Sequence, residues 1–449
     1  MSQQHQQSCS YVLLHFSLIF YLCKFLGIYP QNLSAYRNKH SLEASKNGSF
    51  LVVIVMIWII VCYNTFILSQ SEGKDHREAN HNALNFVIGI FLTQIKIIVM
   101  ATDQLSSICN QGRLAEFYNR VYSIDNRLIK EGCLLNNGSL ALHCYVMVVL
   151  TFLFEIIIIL LTFVNLINYT QWVLVMWIFS CLPTLYDSLD KIWFTTSLHA
   201  LRIRLSALNK TLTNLKGVKE KSIFKRFYEE ECNELSLLKI DYVNGLEYLK
   251  RELNAGRVVK FKNRIRSFDL NIFEQKSFAK DFINVEKVKE RLTNICQLHD
   301  EICELVQTLH KMWTCPILAL MAYGFLIFTA QLYFMYCVTQ KQPIPILFRS
   351  AESLLISILF LSYTGVKCIY PIFLSWKTVL EAKCTGIALH EYAINLNDKA
   401  VYEIVSVNHL SLKLLNHAFD FANCGFLSLS MRTLCGLSGV ITSYTIILL

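Results

Sequence analysis

An all-α, polytopic membrane protein is the fold class that this sequence predicts, and three observations carry it. Hydrophobic residues make up 54% of the 449 positions and charged residues only 17%, with a mean hydropathy of +0.39. That balance is too apolar for a soluble protein of this size. Apolar runs of roughly 20 residues, the length that crosses a bilayer core of about 30 Å, recur along the chain. Lysine and arginine collect on one side of those runs. With 6 Pro, 16 Gly and no low-complexity divider, the chain reads as a single helical membrane domain.

The N-terminal segment, 1–49, opens on "YVLLHFSLIFYLCKFLGIYP" (Tyr11 to Pro30). It lacks a basic leader and a small-residue cleavage site and carries Lys24 inside it, so it is expected to be a weak span or an interfacial helix rather than a cleaved signal. Spans are expected at 50–69, 82–101, 140–167 and 171–190, the last two joined by Asn168 to Thr170 as a helical hairpin. A basic helical loop fills 191–312. Two more spans follow at 313–338 and 351–375, then a helical segment at 376–427 and a seventh span at 428–449.

Orientation follows from the charges. With a cytoplasmic N-terminus, about 35 Lys and Arg fall inside and about four outside. Seven spans then place the C-terminus outside. The net charge of +9 comes mostly from the cytoplasmic loop, where "KRF", "KFKNRIR" and "KVKER" fit topology and lipid headgroup contact better than nucleic-acid binding. No nucleic-acid partner is expected, and membrane lipids are.

Two amphipathic stretches flank that loop. Leu198, Leu201, Leu205, Leu208, Leu212 and Leu215 recur at spacings of three and four, and Val285, Val288, Leu292, Ile295, Ile302, Val306 and Leu309 do the same. Each stripe needs a partner, either the other stripe or a neighbouring subunit. His299, within the second, is expected to be hydrogen-bonded rather than a metal ligand.

No catalytic motif is present. There is no G-x-S-x-G, no P-loop and no H-E-x-x-H, and "HEYAI" at His390 has Ile394 where a second ligand would be needed. The 16 Cys are scattered without metal spacing. The chain is therefore not read as an enzyme, and no cofactor or metal is expected.

Ionisable groups at membrane depth mark functional positions. Lys96, Lys367 and Arg432 are expected to snorkel to the inner headgroups. Glu155, at the middle of the third span, has no such route, so it faces a polar cavity, pairs with a cation or is protonated. Aromatic residues gather in the outer half of the fourth span, at Trp172 and Trp177, and along the fifth, at Phe325, Phe328, Tyr333 and Tyr336. Both aromatic belts and a small-ligand pocket fit that pattern.

Three stretches resemble the insect gustatory receptors, which are related to insect odorant receptors. These are "YLCKFLGIYP", "LHDEICELVQTLHKMWTCPILALM", and most specifically the closing "LSLKLLNHAFDFANCGFLSLSMRTLCGLSGVITSYTIILL". In that family a Thr-Tyr pair, five hydrophobic residues and Gln-Phe close the seventh helix. Here Ser443 precedes Tyr444, and Leu449 stands just before the place of Gln-Phe. The resemblance implies a tetramer, homomeric or mixed with other gustatory receptors, with the cytoplasmic helices as an anchor between subunits. Seventh helices would surround one cation pore, lined by Gly439, Ser443, Ile446 and Leu449. Each subunit would hold a small-molecule tastant among spans two to six, with Glu155, Trp172, Trp177, Phe328 and Tyr363 as candidates by depth. A ligand-gated, non-selective cation channel in the plasma membrane of chemosensory dendrites is the implied function. A receptor signalling through a G protein and a non-conducting accessory subunit are the alternatives.

Overall fold

In the computed structural model the described residues are 17–26, 28–29, 31, 42–71, 83–133, 135, 137–166, 182–216, 278–341, 353–395, 422–423, 427–428 and part of 436–443. They are almost wholly helical. In chain order the helices are α1 (Ser17–Phe25), α2 (Lys46–Ser71), α3 (Ala83–Cys109), α4 (Gln111–Lys130), α5 (Asn137–Leu166), α6 (Leu182–Lys216), α7 (Phe278–Thr339) and α8 (Leu354–Asn395). A two-residue antiparallel pair, Ala422–Asn423 with Leu427–Ser428, follows.

Four described segments are long and apolar enough to cross a bilayer, Lys46–Thr65, Gly138–Ile158, Glu290–Thr339 and Leu354–Leu389. They coincide with the expected first, third, fifth and sixth spans. On α2 and α5 the outward faces carry Ile54, Trp58, Val61, Leu142, Val149 and Leu160, each about half exposed or more. Apolar exposure on that scale is what a lipid-facing helix presents. The 9 described residues of α1 are about 14 Å long. The described part of the 11–29 run is docked on the other helices: Phe20 and Tyr29 are 1% exposed, Ser107 donates to the Ile28 carbonyl at 2.6 Å, and the Tyr186 hydroxyl donates to the Leu26 carbonyl; residues 11–16 lie outside the described residues.

The chain divides into two compact units. The first comprises 1–207, 298–382 and 418–449. Its core is aromatic around Trp193, whose ring lies 5.0 Å from Tyr29 and 5.9 Å from Phe20. A second apolar cluster joins Leu92 and Val99 of α3 to Tyr323, Ile327 and Phe334 of α7. Helix α4 is tied to α6 by a fully buried pair, Arg204 with Asp125, through two contacts of 2.7 Å. It is tied to α7 by Arg120–Glu304 and Arg127–Glu301, each at 2.7 Å. Burial pushes the Asp125 carboxyl above its ordinary pKa against the pull of Arg204. Hydrogen bonding to Arg204 offsets part of the cost of keeping the pair dry.

Two helices carry an internal proline, Pro316 in α7 and Pro371 in α8. Proline offers no N–H to the carbonyl four residues earlier. At Pro316 that carbonyl belongs to Met312, and it is taken up by Ser106 Oγ at 3.0 Å and Asn110 Nδ2 at 3.3 Å from α3 and its C-terminal junction. The helix break is thus turned into an interhelical tie.

The second unit comprises 208–297 and 383–417. Its described residues bury Leu208, Leu212, Leu292, Ile295 and Leu389, and Thr385 Oγ1 donates to Asn209 Oδ1 at 2.5 Å. Most of both leucine-rich stripes, Leu198 to Leu212 and Leu292 to Leu309, is at most 3% exposed within the single chain. Their burial needs no neighbouring subunit. Leu215, Val285 and Val288 lie outside the residues whose side chains are described. His299 is fully buried with Nε2 3.2 Å from the Ala382 carbonyl, the hydrogen-bonded role its sequence position predicts.

α7 and α8 meet closely at Gly324, where a Cβ would sit 2.6 Å from Cys368 Sγ. Gly324→Ala is expected to destabilise the protein by about 1–3 kcal/mol, read as a lower melting temperature in detergent. Adding Cys368→Ala should restore most of the loss by opening the space the new methyl needs.

Candidate functional site

Helix α6 begins at Leu182 with Pro183 in its first turn, where a missing N–H costs nothing. The next turns read "TLYDSLDK". Helical spacing sets Asp187, Asp190 and Lys191 on one side, and all three are at most 3% exposed. Lys191 Nζ lies 2.7 Å from Asp103 of α3, 3.1 Å from Asp190 and 3.3 Å from Asp187. Asp187 is held in turn by Lys367 of α8 at 2.6 Å. Trp313 Nε1 donates to Asp190 at 3.0 Å, and the Tyr29 hydroxyl donates to it at 3.3 Å. Five buried charges, three acidic and two basic, are therefore compensated by one another and by two aromatic donors.

One turn toward the α6 start from Lys191, the network continues. Ser188 Oγ lies 2.9 Å from the Tyr363 hydroxyl, which donates to Glu155 Oε1 at 2.8 Å. Phe154 stacks on the Tyr363 ring at 5.8 Å, and Lys367 sits 5.6 Å from that ring's centroid. A small cleft lined by Lys96, Pro183, Thr184, Asp187 and Tyr323 adjoins Lys367, whose Nζ also donates to the Thr184 carbonyl at 3.3 Å.

The sequence-derived candidates divide as follows. Glu155 and Tyr363 are brought into direct hydrogen-bond contact, 208 residues apart in sequence. Phe328 packs on the apolar cluster of α3 and α7, its Cζ 3.3 Å from where a Cβ on Gly365 would stand. Trp172 and Trp177 lie outside the described residues. Of the pore candidates, Ser443 donates to the Gly439 carbonyl at 2.9 Å within a helical stretch and is exposed. Tyr444, Ile446 and Leu449 lie outside the described residues, as does Arg432.

Two expectations are corrected. Lys367 does not snorkel to a headgroup: its side chain is 10% exposed and bonded to Asp187. Lys191, counted with the cytoplasmic loop charges, is buried among three carboxylates. Asp103, Asp187 and Asp190 were not singled out at all, although an i, i+3, i+4 set of charges at the foot of an apolar run is legible in "DSLDK". A span ending at 190 holds Asp187 and Asp190 inside it and leaves Lys191 outside, which separates the cation from its partners.

Comparison with known proteins decides the family. The 7tm chemosensory receptor family matches residues 16–449. The chain belongs to it. It is 43% identical to the gustatory receptor for bitter taste 66a of Drosophila melanogaster, across 99% of this chain and 90% of that protein. Its fold is similar to that of the insect olfactory receptor OR5 from Machilis hrabei, with a TM-score of 0.58 at 12% identity over 98% of this chain and 99% of the other. The same receptor in complex with eugenol matches with a TM-score of 0.51 over 99% and 97% of the two chains. The chain is thus an insect-type gustatory receptor family member, transmembrane and chemosensory in class.

Replacing Lys191 with Met leaves Asp103 and Asp190 without their shared cation. A loss of about 3–5 kcal/mol is expected, seen as a collapse of the monodisperse peak in fluorescence-detected size exclusion. Combining Lys191→Met with Asp103→Leu should recover part of it.

Proposed function

We propose that this chain is a subunit of a ligand-gated, non-selective cation channel that detects a tastant or contact chemical in chemosensory neurons. The observation that carries the reading is the match along nearly the whole chain to a curated gustatory receptor, joined to the likeness of fold to an insect olfactory receptor. Bitter compounds are the first ligand class to try, from the printed function of the Drosophila relative. A small organic ligand is supported by the olfactory receptor's complex with eugenol.

Seven spans run from a cytoplasmic N-terminus to an extracellular C-terminus, on the strength of the Lys and Arg asymmetry. Four such subunits surround one pore, with Gly439, Ser443, Ile446 and Leu449 lining it and a hydrophobic constriction excluding water at rest. The ligand sits against Glu155, Phe328 and Tyr363, with Trp172 and Trp177 completing the pocket. It opens the channel by binding the open arrangement more tightly than the closed one. The protein acts at the plasma membrane of sensory dendrites, as a homomer or with related receptors.

Epitope accessibility tests the topology. An N-terminal tag should stay hidden on intact cells and become accessible on permeabilisation, whereas surface staining would favour the opposite, G-protein-coupled receptor orientation. Current recording across a tastant panel tests the channel, with the chain alone and co-expressed with related subunits. Silence in every combination at normal surface expression would sink it.

Tyr363→Phe removes the hydroxyl that contacts Ser188 and Glu155 and that the ligand would engage, a hydrogen bond to the ligand being worth about 1–2 kcal/mol. The concentration for half-maximal current should rise about tenfold while surface expression stays unchanged. An unaltered dose–response curve would remove Tyr363 from the pocket.

A further inference from the structure

On the side of the bundle toward which α6 and α8 extend, five side chains of one unit lie together, and the receptor reading does not use them. The His143 ring of α5 is 4.8 Å from the His199 ring of α6. The Tyr370 hydroxyl of α8 is 2.8 Å from His143 Nε2. Burial pushes the His199 pKa down to about 4, helped by the neighbouring His143 and by the charges of Arg202 and Lys377. His199 is therefore neutral at physiological pH and offers N–H chemistry, while the two formal charges come from Arg202 and Lys377.

The cluster is unbalanced. The carboxylate that acts on Lys377 is Glu381, one turn along α8 and 2% exposed, so one acid stands against the two cations Arg202 and Lys377. His199 Nδ1 is buried without a hydrogen-bond partner, and all five residues are only half-buried. A half-buried aromatic pair adjoins it: Lys377 Nζ lies 4.9 Å over the Phe373 ring, and Phe373 is 5.8 Å from Trp376. Aromatic residues of this kind mark headgroup depth. From there toward the bilayer centre, the faces of α5 and α8 expose Leu142, Val146, Val149, Val366 and Ile369, between 45% and 67% each.

A guanidinium, an ammonium and neutral imidazole and phenol donors form a set suited to phosphate oxygens. The apolar strips suit acyl chains. We propose that His143, His199, Arg202, Tyr370 and Lys377 bind the phosphate headgroup of an anionic phospholipid whose tails lie along α5 and α8. Assigning that lipid to the cytoplasmic leaflet, where anionic lipids concentrate, rests on the orientation proposed above. The binding itself does not.

The test is thermal melting of the full-length chain in neutral detergent, titrated with short-chain phosphatidylinositol 4,5-bisphosphate, phosphatidylserine, phosphatidylcholine or inorganic phosphate. The anionic lipids should raise the midpoint, and phosphatidylcholine and inorganic phosphate should not. The double variant Arg202→Gln/Lys377→Gln should need about tenfold more anionic lipid for the same shift. The charge-conserving Arg202→Lys/Lys377→Arg should respond nearly as the native chain does. Equal shifts with anionic lipid and phosphatidylcholine, an equal shift with inorganic phosphate, or an unchanged lipid response in the neutral variant would overturn the proposal. Should the neutral variant not fold, the four probes on the native chain still decide. A positive result with an N-terminal tag exposed outside would keep the site and reject the orientation.

Discussion

The charge of Lys191 is the constraint on which the upper bundle depends. An ammonium held at 4% side-chain exposure cannot be left to the bilayer or to a dry core, because isolated burial costs several kcal/mol. Asp103, Asp187 and Asp190 meet it, which obliges α3 to lie against α6. The surplus acid is then answered by Lys367 from α8 and by donors from Trp313 on α7 and Tyr29 from the N-terminal segment. One buried cation thus fixes four helices and a strap of chain in a single register. A hydrophobic isostere of the same volume would pack as tightly, but it would not distinguish that register from its neighbours.

Dispersion and aromatic packing do the rest with less directional demand. Trp193, Phe20, Tyr29 and Tyr118 fill the space beneath the network. The proline of α7 is absorbed because Ser106 of α3 and Asn110 just after it take the freed carbonyl at Met312. In a membrane setting such substitution is obligatory, since lipid offers no donor to an orphan carbonyl.

What could be read from the sequence follows the physical range of each signal. Apolar runs report burial or lipid exposure over about 20 residues, so the helices at 50–69, 140–167, 313–338 and 351–375 were legible. The leucine stripes were legible for the same reason, and their burial within one chain shows that periodicity reports a covered face without naming its partner. Glu155 stood out because a lone carboxylate in an apolar run has few options. Its partner did not, because Tyr363 is 208 residues away and nothing local connects them. The Lys191 network was hidden by a boundary. A charge counted as solvated at the end of a span and one buried a turn inside it differ by a few ångströms, which composition cannot resolve. The comparison with known receptors carries the family but leaves the pore and pocket residues to experiment.

The polar layer around Tyr363 and the charged layer around Lys191 meet along two helices, α6 and α8. On α8, Tyr363 and Lys367 are separated by four residues; on α6, their partners Ser188 and Asp187 are adjacent. The two contacts therefore form consecutive rungs between the same helices. A rotation of α8 that breaks the Tyr363–Ser188 contact also stretches Lys367 from Asp187, and Asp187 is shared with Lys191. Any molecule that competes for the Tyr363 hydroxyl acts first on Ser188 and Glu155, which carry one hydrogen bond each to it. It acts on the ion pair only through helix motion. The hydrogen-bonded rung is the weaker of the two, and the ion-pair rung resists the displacement. On the proposed function, such an ordering would let a small ligand shift α8 by the worth of a hydrogen bond or two without unpairing the charges that hold the bundle together.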